Sequence, residues 1–385
     1  MTPQVGGGGT AAAKTIQAAV DMAARGATVS VLPGTYAETL TIRRGLTLQA
    51  TGERSGPVVL APEGTPEAVI EIATTEPVTI NGLTIHAAGK LGIRAVGSVD
   101  VTVTRTTVLA TTPAADRIPL ILVRNDSRES RGRARAIVRQ SVFDGAVTAL
   151  PKGVARPQNH ALQLVGDIDG LIERNMVRRF GAICVVLDTR DDFGGEMNVD
   201  IVGNDIDECH PVGRVGAIKV GTPSVALLSP KEPVTATGVV NILDNTIRNS
   251  SEDCLNSAIA YNVYAGRIER NRIIDFVKPC ASQNPRNMPG AIWLGLRVMG
   301  LTVPSITPTV RFNDIHGNAH AGVRVAPDQT AAADVSCNYW GSPDGPSGIG
   351  GGRGDAILVE SGAPAPVFRP FATAPIAQSG KTGCQ

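Results

Sequence analysis

Aromatic residues make up only 3% of this 385-residue chain, too few to supply the large side chains that dominate an ordinary compact core. No window approaches the roughly 18 consecutive apolar residues of a membrane span. The first residues lack the basic and then apolar run of a signal peptide, so the chain reads as soluble, with any export signal already removed. Charge of one sign is missing too: 36 Lys plus Arg stand against 35 Asp plus Glu. No whole-molecule field therefore draws the protein to nucleic acid or to an anionic membrane, and neither is expected as a partner. The six cysteines form no Cys-x-x-Cys pair and no His/Cys cluster with zinc spacing.

What the chain does have is Gly, 43 residues of it, with Val, Ile, Thr and Asn recurring throughout. Narrow stacked strands need β-branched residues inside and Gly at corners. A short pattern repeats: an aliphatic, two variable residues, a residue that is often Asn, one more residue and a second aliphatic. It runs Ile80…Leu83…Ile85, Val103…Thr106…Val108, Ile137…Gln140…Val142, Ile172…Asn175…Val177 and Ile201…Asn204…Ile206. It continues as Ile242…Asn245…Ile247, Ile268…Asn271…Ile273, Val310…Asn313…Ile315 and Val335…Asn338…Trp340. Separations range from 23 residues (Ile80 to Val103) to 42 (Ile268 to Val310), which excludes a rigid repeat and fits turns of one coil carrying loops of variable length.

Between these copies lies a second short strand, among them Gly92-Ile93-Arg94, Ala161-Leu162-Gln163, Ala182-Ile183-Cys184, Ala217-Ile218-Lys219, Ala258-Ile259-Ala260, Ala291-Ile292-Trp293 and Val323-Arg324-Val325. The fold predicted is all-β, a right-handed parallel β-helix. Alternate residues point inward and neighbouring turns sit about 4.8 Å apart. Ile218, Ile259, Ile292 and Val323 should form an aliphatic stack. Asn175, Asn204, Asn245, Asn271, Asn313 and Asn338 should form a corner ladder, where Asn tolerates unusual backbone angles and bridges amide to amide along the coil. The segment 10–26 has apolar residues at helical spacing and a Gly stop, and should plug the first turn. Coils are expected over 27–341 and an irregular closing segment over 342–385, all as one domain.

The opening TIQAAVDMAARGATVSVLPGTYAETLTIRRGLTLQATG and the closing CNYWGSPDGPSG resemble those of the pectin-lyase-like superfamily, in particular its bacterial secreted and surface members. That resemblance implies the β-helix, a secreted, periplasmic or cell-surface location and a polysaccharide or other glycan surface as partner. The Gln-Asp-Thr-Leu and Asp-Phe-Ile-Phe-Gly stretches of pectinesterases and the Tyr-Gly-Phe-Asp-Pro-His signature of alginate epimerases are absent, so neither activity is carried over.

Stacking turns the outward residues of the second strand into a column: Arg94, Gln163, Cys184, Lys219, Ala260, Trp293 and Arg324. Cations with a Trp on one face suit an anionic sugar chain, the ring stacking on the sugar and the cations meeting carboxylates. Arg94, Gln163, Lys219, Trp293 and Arg324 are therefore the candidate substrate-binding residues. The densest polar stretch, Asp188-Thr189-Arg190-Asp191-Asp192, offers hard oxygen ligands for Ca²⁺ at Asp188, Asp191 and Asp192. In the polysaccharide lyases of the superfamily such calcium assists proton abstraction, which makes Arg190 or Lys219 the candidate base. Carboxylate pairs can instead hydrolyse glycosidic bonds. Binding without catalysis and cleavage of an acidic polysaccharide are thus both expected readings.

Cys254 and Cys280 lie nine residues beyond Asn245 and Asn271 respectively, equivalent positions on adjacent turns and within disulfide reach. Cys337 should tie down Cys384, leaving Cys184 with Cys209. His316 and His320 flank a corner and read as structural. Gly9 to Thr15 mimics a phosphate loop but lacks its second Gly. Arg353-Gly354-Asp355 echoes an adhesion tripeptide, and Asn125 and Asn249 head glycosylation triplets.

Overall fold

The computed structural model describes residues 4–5, 13–51, 57–64, 67–112, 118–126, 132–145, 160–209, 216–221, 234–250, 257–276, 290–295, 306–318, 321–327, 329, 331–376 and 384. The chain divides into two compact units, Met1–Gly181 and Ala182–Gln385. Both are wound alike: a coil contributes, in chain order, a strand to each of three parallel sheets, designated A, B and C. The fold is a parallel β-helix with one helix at its N-terminal end.

In the first unit the A strands Ala27–Val31, Leu46–Ala50, Pro77–Asn81, Asp100–Thr104, Ala134–Arg139 and Ile168–Glu173 pair in parallel register. The register stacks Val29, Leu48, Ile80, Val103, Val138 and Ile172 in one file, each no more than 2% exposed. Each such side chain stabilises the coil by about 1.5–3 kcal/mol relative to an exposed one. Helix α1, Ile16–Met22, lays Ile16, Ala19 and Val20 against the first coil. It is shorter than the predicted 10–26 segment, because Thr15 caps it at one end and the backbone turns extended at Ala23 to feed the first A strand. Glu38 completes the cap, accepting from the backbone N–H groups of Ile16 and Gln17 at 3.0 and 3.1 Å.

In the second unit the C strands Val185–Asp188, Gly216–Gly221, Ser257–Tyr261, Ile292–Leu294, Val323–Val325 and Gly354–Val359 pair in the same sense. Val185, Ile218, Ile259, Ile292, Val323 and Ile357 stack inside, each 1% exposed or less. The predicted aliphatic file is therefore present and longer than its four named members.

The asparagine ladder is present at the corner between sheets A and B. In the second unit the backbone and side-chain N–H groups of Asn204 both donate to Asn245 Oδ1, at 2.8 and 2.9 Å. Asn245 repeats this to Asn271, Asn271 to Asn313 and Asn313 to Asn338. In the first unit Asn175 Oδ1 accepts from Ser141 N at 3.0 Å, and Ser141 Oγ accepts from Thr106 N at 3.2 Å. One part of the expectation is corrected: the unusual backbone angle belongs to the residue before the rung. Arg174, Asp244, Arg270, Phe312 and Cys337 have φ between 52° and 59°. Asn is selected for its two-sided amide, which satisfies a buried backbone donor and then donates again.

Two cysteine pairings stand as read from the sequence, Cys184 with Cys209 and Cys337 with Cys384, with Cα separations of 5.6 and 5.2 Å. Cys254 and Cys280 lie outside the described residues, as do His320 and most of the Gly9 to Thr15 segment. The Arg-Gly-Asp tripeptide is not displayed as a ligand: Arg353 pairs with Asp344, and Asp355 Oδ2 accepts from Asn318 N and Nδ2 at 3.0 and 2.7 Å. Asn125 and Asn249 are buried, 1% and 4% exposed, so neither triplet presents its amide to solvent.

Asp355 is a carboxylate placed where the coil elsewhere uses an amide. Burial pushes its pKa up to about 6 from 3.8, against the pull of the two Asn318 donors and of His316. A raised carboxylate binds its proton more tightly folded than unfolded. Its contribution is thus full below about pH 4 and lost as pH rises through about 6. Asp355→Asn keeps the acceptor and removes the charge. At pH 7 it should gain about 1–3 kcal/mol over the wild type, with no gain at pH 3.5. Urea titrations at the two pH values measure this, and an equal effect at both would show that ionisation is not the cause.

Candidate functional site

The outer face of sheet C in the second unit carries the polar groups singled out from the sequence. Register aligns Val186, Lys219, Ala260, Trp293, Arg324 and Leu358 in one outward file. Two residues further along each strand a second outward file runs through Asp188, Gly221, Asn262, Gly295, Ala326 and Glu360, because side chains alternate with period 2. Lys219 Nζ donates across the files to Asp188 Oδ1, and both side chains are almost fully buried, 3% and 6% exposed. At the far end Arg324 Nε donates to Glu360 Oε1 at 2.7 Å, and its guanidinium lies 5.6 Å from the centroid of the Trp293 ring.

Between these two ion pairs the floor is made of small residues. A β-carbon on Gly221 would lie 1.4 Å from Asn262 Oδ1, so only Gly fits beneath that amide, and Gly221 also has φ +127°. Ala260 separates Lys219 from Trp293 by one strand on each side. The indole Nε1 of Trp293 is buried and has no hydrogen-bond partner. The same holds for Trp340 Nε1, but Trp340 points into the coil, where its ring stands 3.0 Å from a β-carbon built on Gly322. Tyr261, on the inward side beneath the floor, donates to Val240 O at 2.7 Å, and burial raises its phenol well above the usual range. It is a structural strut.

The Asp188 to Asp192 stretch does not gather its carboxylates. Asp188 faces Lys219, while Asp192 accepts from Arg190 Nε at 3.1 Å and from Gly194 N at 3.0 Å, closing a tight turn that Arg190 N and Gly194 O also span. Asp191 is exposed at the tip. Among the described residues no group of three or more His, Cys, Asp or Glu side chains is arranged to hold a metal ion. His316 lies 3.5 Å from Asp314 Oδ1 and edge-on to Tyr339, a pair at the corner of the coil. Burial raises the Asp314 carboxyl, partly offset by His316 and Arg272.

Two features of the sequence-derived column are corrected. Cys184 is not in it: Val185 pairs with Ile218, so Val186 occupies the rung beside Lys219. A slip of two residues preserves the inward and outward alternation, which is why the pattern alone did not detect it. Nor is the column in the second unit an open cationic surface, since Lys219, Trp293 and Arg324 are 2%, 4% and 7% exposed and both cations hold carboxylates. In the first unit Arg94 and Gln163 do share a file, with Glu71 before them and Leu122 between them. There Arg94 is paired with Glu71. Gly221 and Asn262 escaped the sequence reading although each lies two residues beyond a column member, and Glu360 escaped it because its strand, whose Leu358 pairs with Arg324, was not recognised as a further turn.

No family model matches the chain, and no curated protein matches it. Several solved structures do. The A-module of the Azotobacter vinelandii mannuronan C-5 epimerase AlgE6 is 15% identical, with 94% of each chain covered and a TM-score of 0.45. The deglycosylated pectin methylesterase of Aspergillus niger is 12% identical over 87% of this chain and 88% of its own, with a TM-score of 0.33. Escherichia coli YbhC is 17% identical over 64% and 72%, with a TM-score of 0.38.

Proposed function

We propose that the outer face of sheet C in the second unit binds a carbohydrate chain, in a compartment oxidising enough to keep the Cys184–Cys209 and Cys337–Cys384 bridges closed. The observation that carries this reading is the unpartnered indole N–H of Trp293 on that face. An orphaned buried donor costs about 1–3 kcal/mol, which a ligand oxygen recovers. A Trp ring also offers the apolar platform on which a sugar stacks. Lys219 and Arg324 bracket the site and position the chain along the coil.

The experiment is a glycan-binding screen read by intrinsic fluorescence. The protein has two Trp residues, and Trp340 is fully buried in the core, so a ligand-induced change reports on Trp293. Trp293→Ala should weaken binding of any glycan found by at least about tenfold, the equivalent of 1.4 kcal/mol. Unchanged affinity would place the ligand on another face.

The alternative reading is cleavage of an acidic polysaccharide, with Lys219 or Arg190 as base; the separated Asp188, Asp191 and Asp192 do not fit a shared Ca²⁺. The buried Lys219–Asp188 pair is what favours it, since active sites keep charged pairs that stability alone does not require. Absorbance of unsaturated uronates, followed with and without Ca²⁺, tests it directly. Hydrolysis by Asp188 and Glu360 together is disfavoured by distance: five strand steps separate them, about 24 Å at the usual spacing. Glycosidase carboxylates stand about 5–9.5 Å apart.

A further inference from the structure

We infer that the outer face of sheet B, at the C-terminal end of the second unit, holds a further subsite, in which Arg272, Asp314, His316 and Tyr339 take the hydroxyls of a sugar. It lies on a different sheet from the face proposed above and does not depend on that reading.

Register builds the subsite. Strands Asp205–Cys209, Thr246–Arg248, Arg272–Ile274 and Asp314–His316 pair in parallel, and Tyr339 bridges to Asp314. Alternation then sets two outward files side by side: Asp205, Thr246, Arg272, Asp314 and Tyr339 in one, Asp207, Arg248, Ile274 and His316 in the other. At the lower end the polar groups are saturated. Arg248 donates to both oxygens of Asp205 at 2.6 and 3.2 Å and to Asp207 Oδ2 at 3.1 Å, and Ser250 N donates to Asp207 Oδ1 at 2.9 Å. At the upper end they are not. The side chains of Arg272, Asp314, His316 and Tyr339 make no hydrogen bond among the described residues, and none of the four has a further partner. Their nearest polar approaches are 4.0 Å from Arg272 Nε to Asp314 Oδ2 and 3.5 Å from His316 Nε2 to Asp314 Oδ1.

This upper end is open to a ligand. The side chains of Arg272 and His316 are 49% and 33% exposed, and Tyr339 is half-buried. Gly341 follows His316 at the next turn with φ +83°, and a β-carbon there would lie 2.8 Å from His316 Cβ. No side chain can therefore close over the imidazole from that position. Asp314 forms the floor, its side chain nine-tenths buried and its Oδ1 without a partner.

The chemistry of the four groups selects the ligand. A carboxylate oxygen facing Nε2 holds the imidazole proton on that nitrogen and leaves Nδ1 as the acceptor. Arg272 can only donate, whereas Nδ1 and an ionised Asp314 can only accept. An ammonium placed among them could not accept from Arg272. A carboxylate could not donate to Nδ1 or to Asp314. A hydroxyl does both, and the 4.0 Å gap between Arg272 Nε and Asp314 Oδ2 is one that a single bridging oxygen closes. Adjacent hydroxyls of one sugar ring meet several of these groups together, with the Tyr339 phenol as a further donor and acceptor.

The test titrates the full chain calorimetrically with uncharged oligosaccharides (gluco-, manno- and xylo-oligomers), with uronate oligomers and with glucosamine oligomers. At least one uncharged series should bind saturably, and both charged series about tenfold more weakly. Arg272→Gln and His316→Gln should each weaken the uncharged ligand about tenfold or more, with urea midpoints near that of the wild type, because neither side chain gives up a hydrogen bond. Trp293→Ala, on sheet C, should leave this binding in place. Affinity lost with Trp293→Ala and kept in both sheet B variants would overturn the subsite and leave the sheet C reading standing. Charged oligomers binding as tightly as uncharged ones would overturn the hydroxyl class. Failure of every series to bind would overturn both carbohydrate readings.

Discussion

Lys219→Met is expected to lower the free energy of unfolding by about 3–5 kcal/mol, the usual cost of leaving one member of a buried ion pair without the other. Lys219 faces Asp188 with both side chains almost inaccessible, so water cannot take over the role of the ammonium. Asp188→Leu should destabilise for the mirror-image reason. Combined, Lys219→Met and Asp188→Leu should restore most of the loss, because a buried pair exchanged for apolar groups of similar volume is often neutral. A double-mutant cycle by urea denaturation measures the coupling. A single-variant loss under about 1 kcal/mol, or a double variant no better than the singles, would refute the pairing as the reason these charges persist. If the cycle closes as expected, the pair contributes nothing that aliphatic residues would not. Its retention on the face proposed to bind ligand then calls for a functional cause.

The second large effect is predicted for the corner ladder. Asn271 Oδ1 accepts from both the backbone and the side chain of Asn245, and its amide donates to Ile242 O at 2.8 Å and to Asn313 Oδ1 at 3.0 Å. Asn271→Ala strips the buried Asn245 N–H of its acceptor and Ile242 O of a donor, with no route for water to a residue only 1% exposed. Losses of about 3–4 kcal/mol follow from one orphaned buried donor and one under-satisfied carbonyl. Asn198→Ala, which removes an exposed bond to Val239 N, should cost less than about 1 kcal/mol by comparison. Denaturant midpoints of the two variants decide the matter, and equal midpoints would mean that the ladder is local turn preference repeated and no network.

What was legible in the sequence was whatever repeats at a fixed offset. The Ile218, Ile259, Ile292 and Val323 stack follows from alternation, and the ladder from the recurrence of Asn three residues after an aliphatic. Alternation fixes parity but not position, so the slip that puts Val186 in place of Cys184 beside Lys219 left no trace in the pattern. The burial of Lys219 was equally hidden: its partner Asp188 sits 31 residues away in sequence and in a different outward file. Asp188, Asp191 and Asp192 read as one acidic group because they are neighbours in the chain. Folding separates them, as a strand end and the two sides of a turn point in different directions.

The ladder also has a direction. From Asn204 to Asn313 each asparagine's backbone N–H and one amide N–H reach the next Asn Oδ1 in the C-terminal direction, while the amides of Asn245, Asn271, Asn313 and Asn338 also reach back to backbone carbonyls of the preceding coil. Trimming the second unit from its end would strand a buried backbone donor at the cut rung, and donors tolerate solitude less well than carbonyls do, whereas trimming from its beginning would strand a side-chain donor, such as Asn245 Nδ2 once Ile201 is lost, and leave the backbone donors of the ladder satisfied. The solenoid is thus anchored asymmetrically, and its terminal rung, Asn338, is the neighbour of Cys337, whose bond to Cys384 holds it shut.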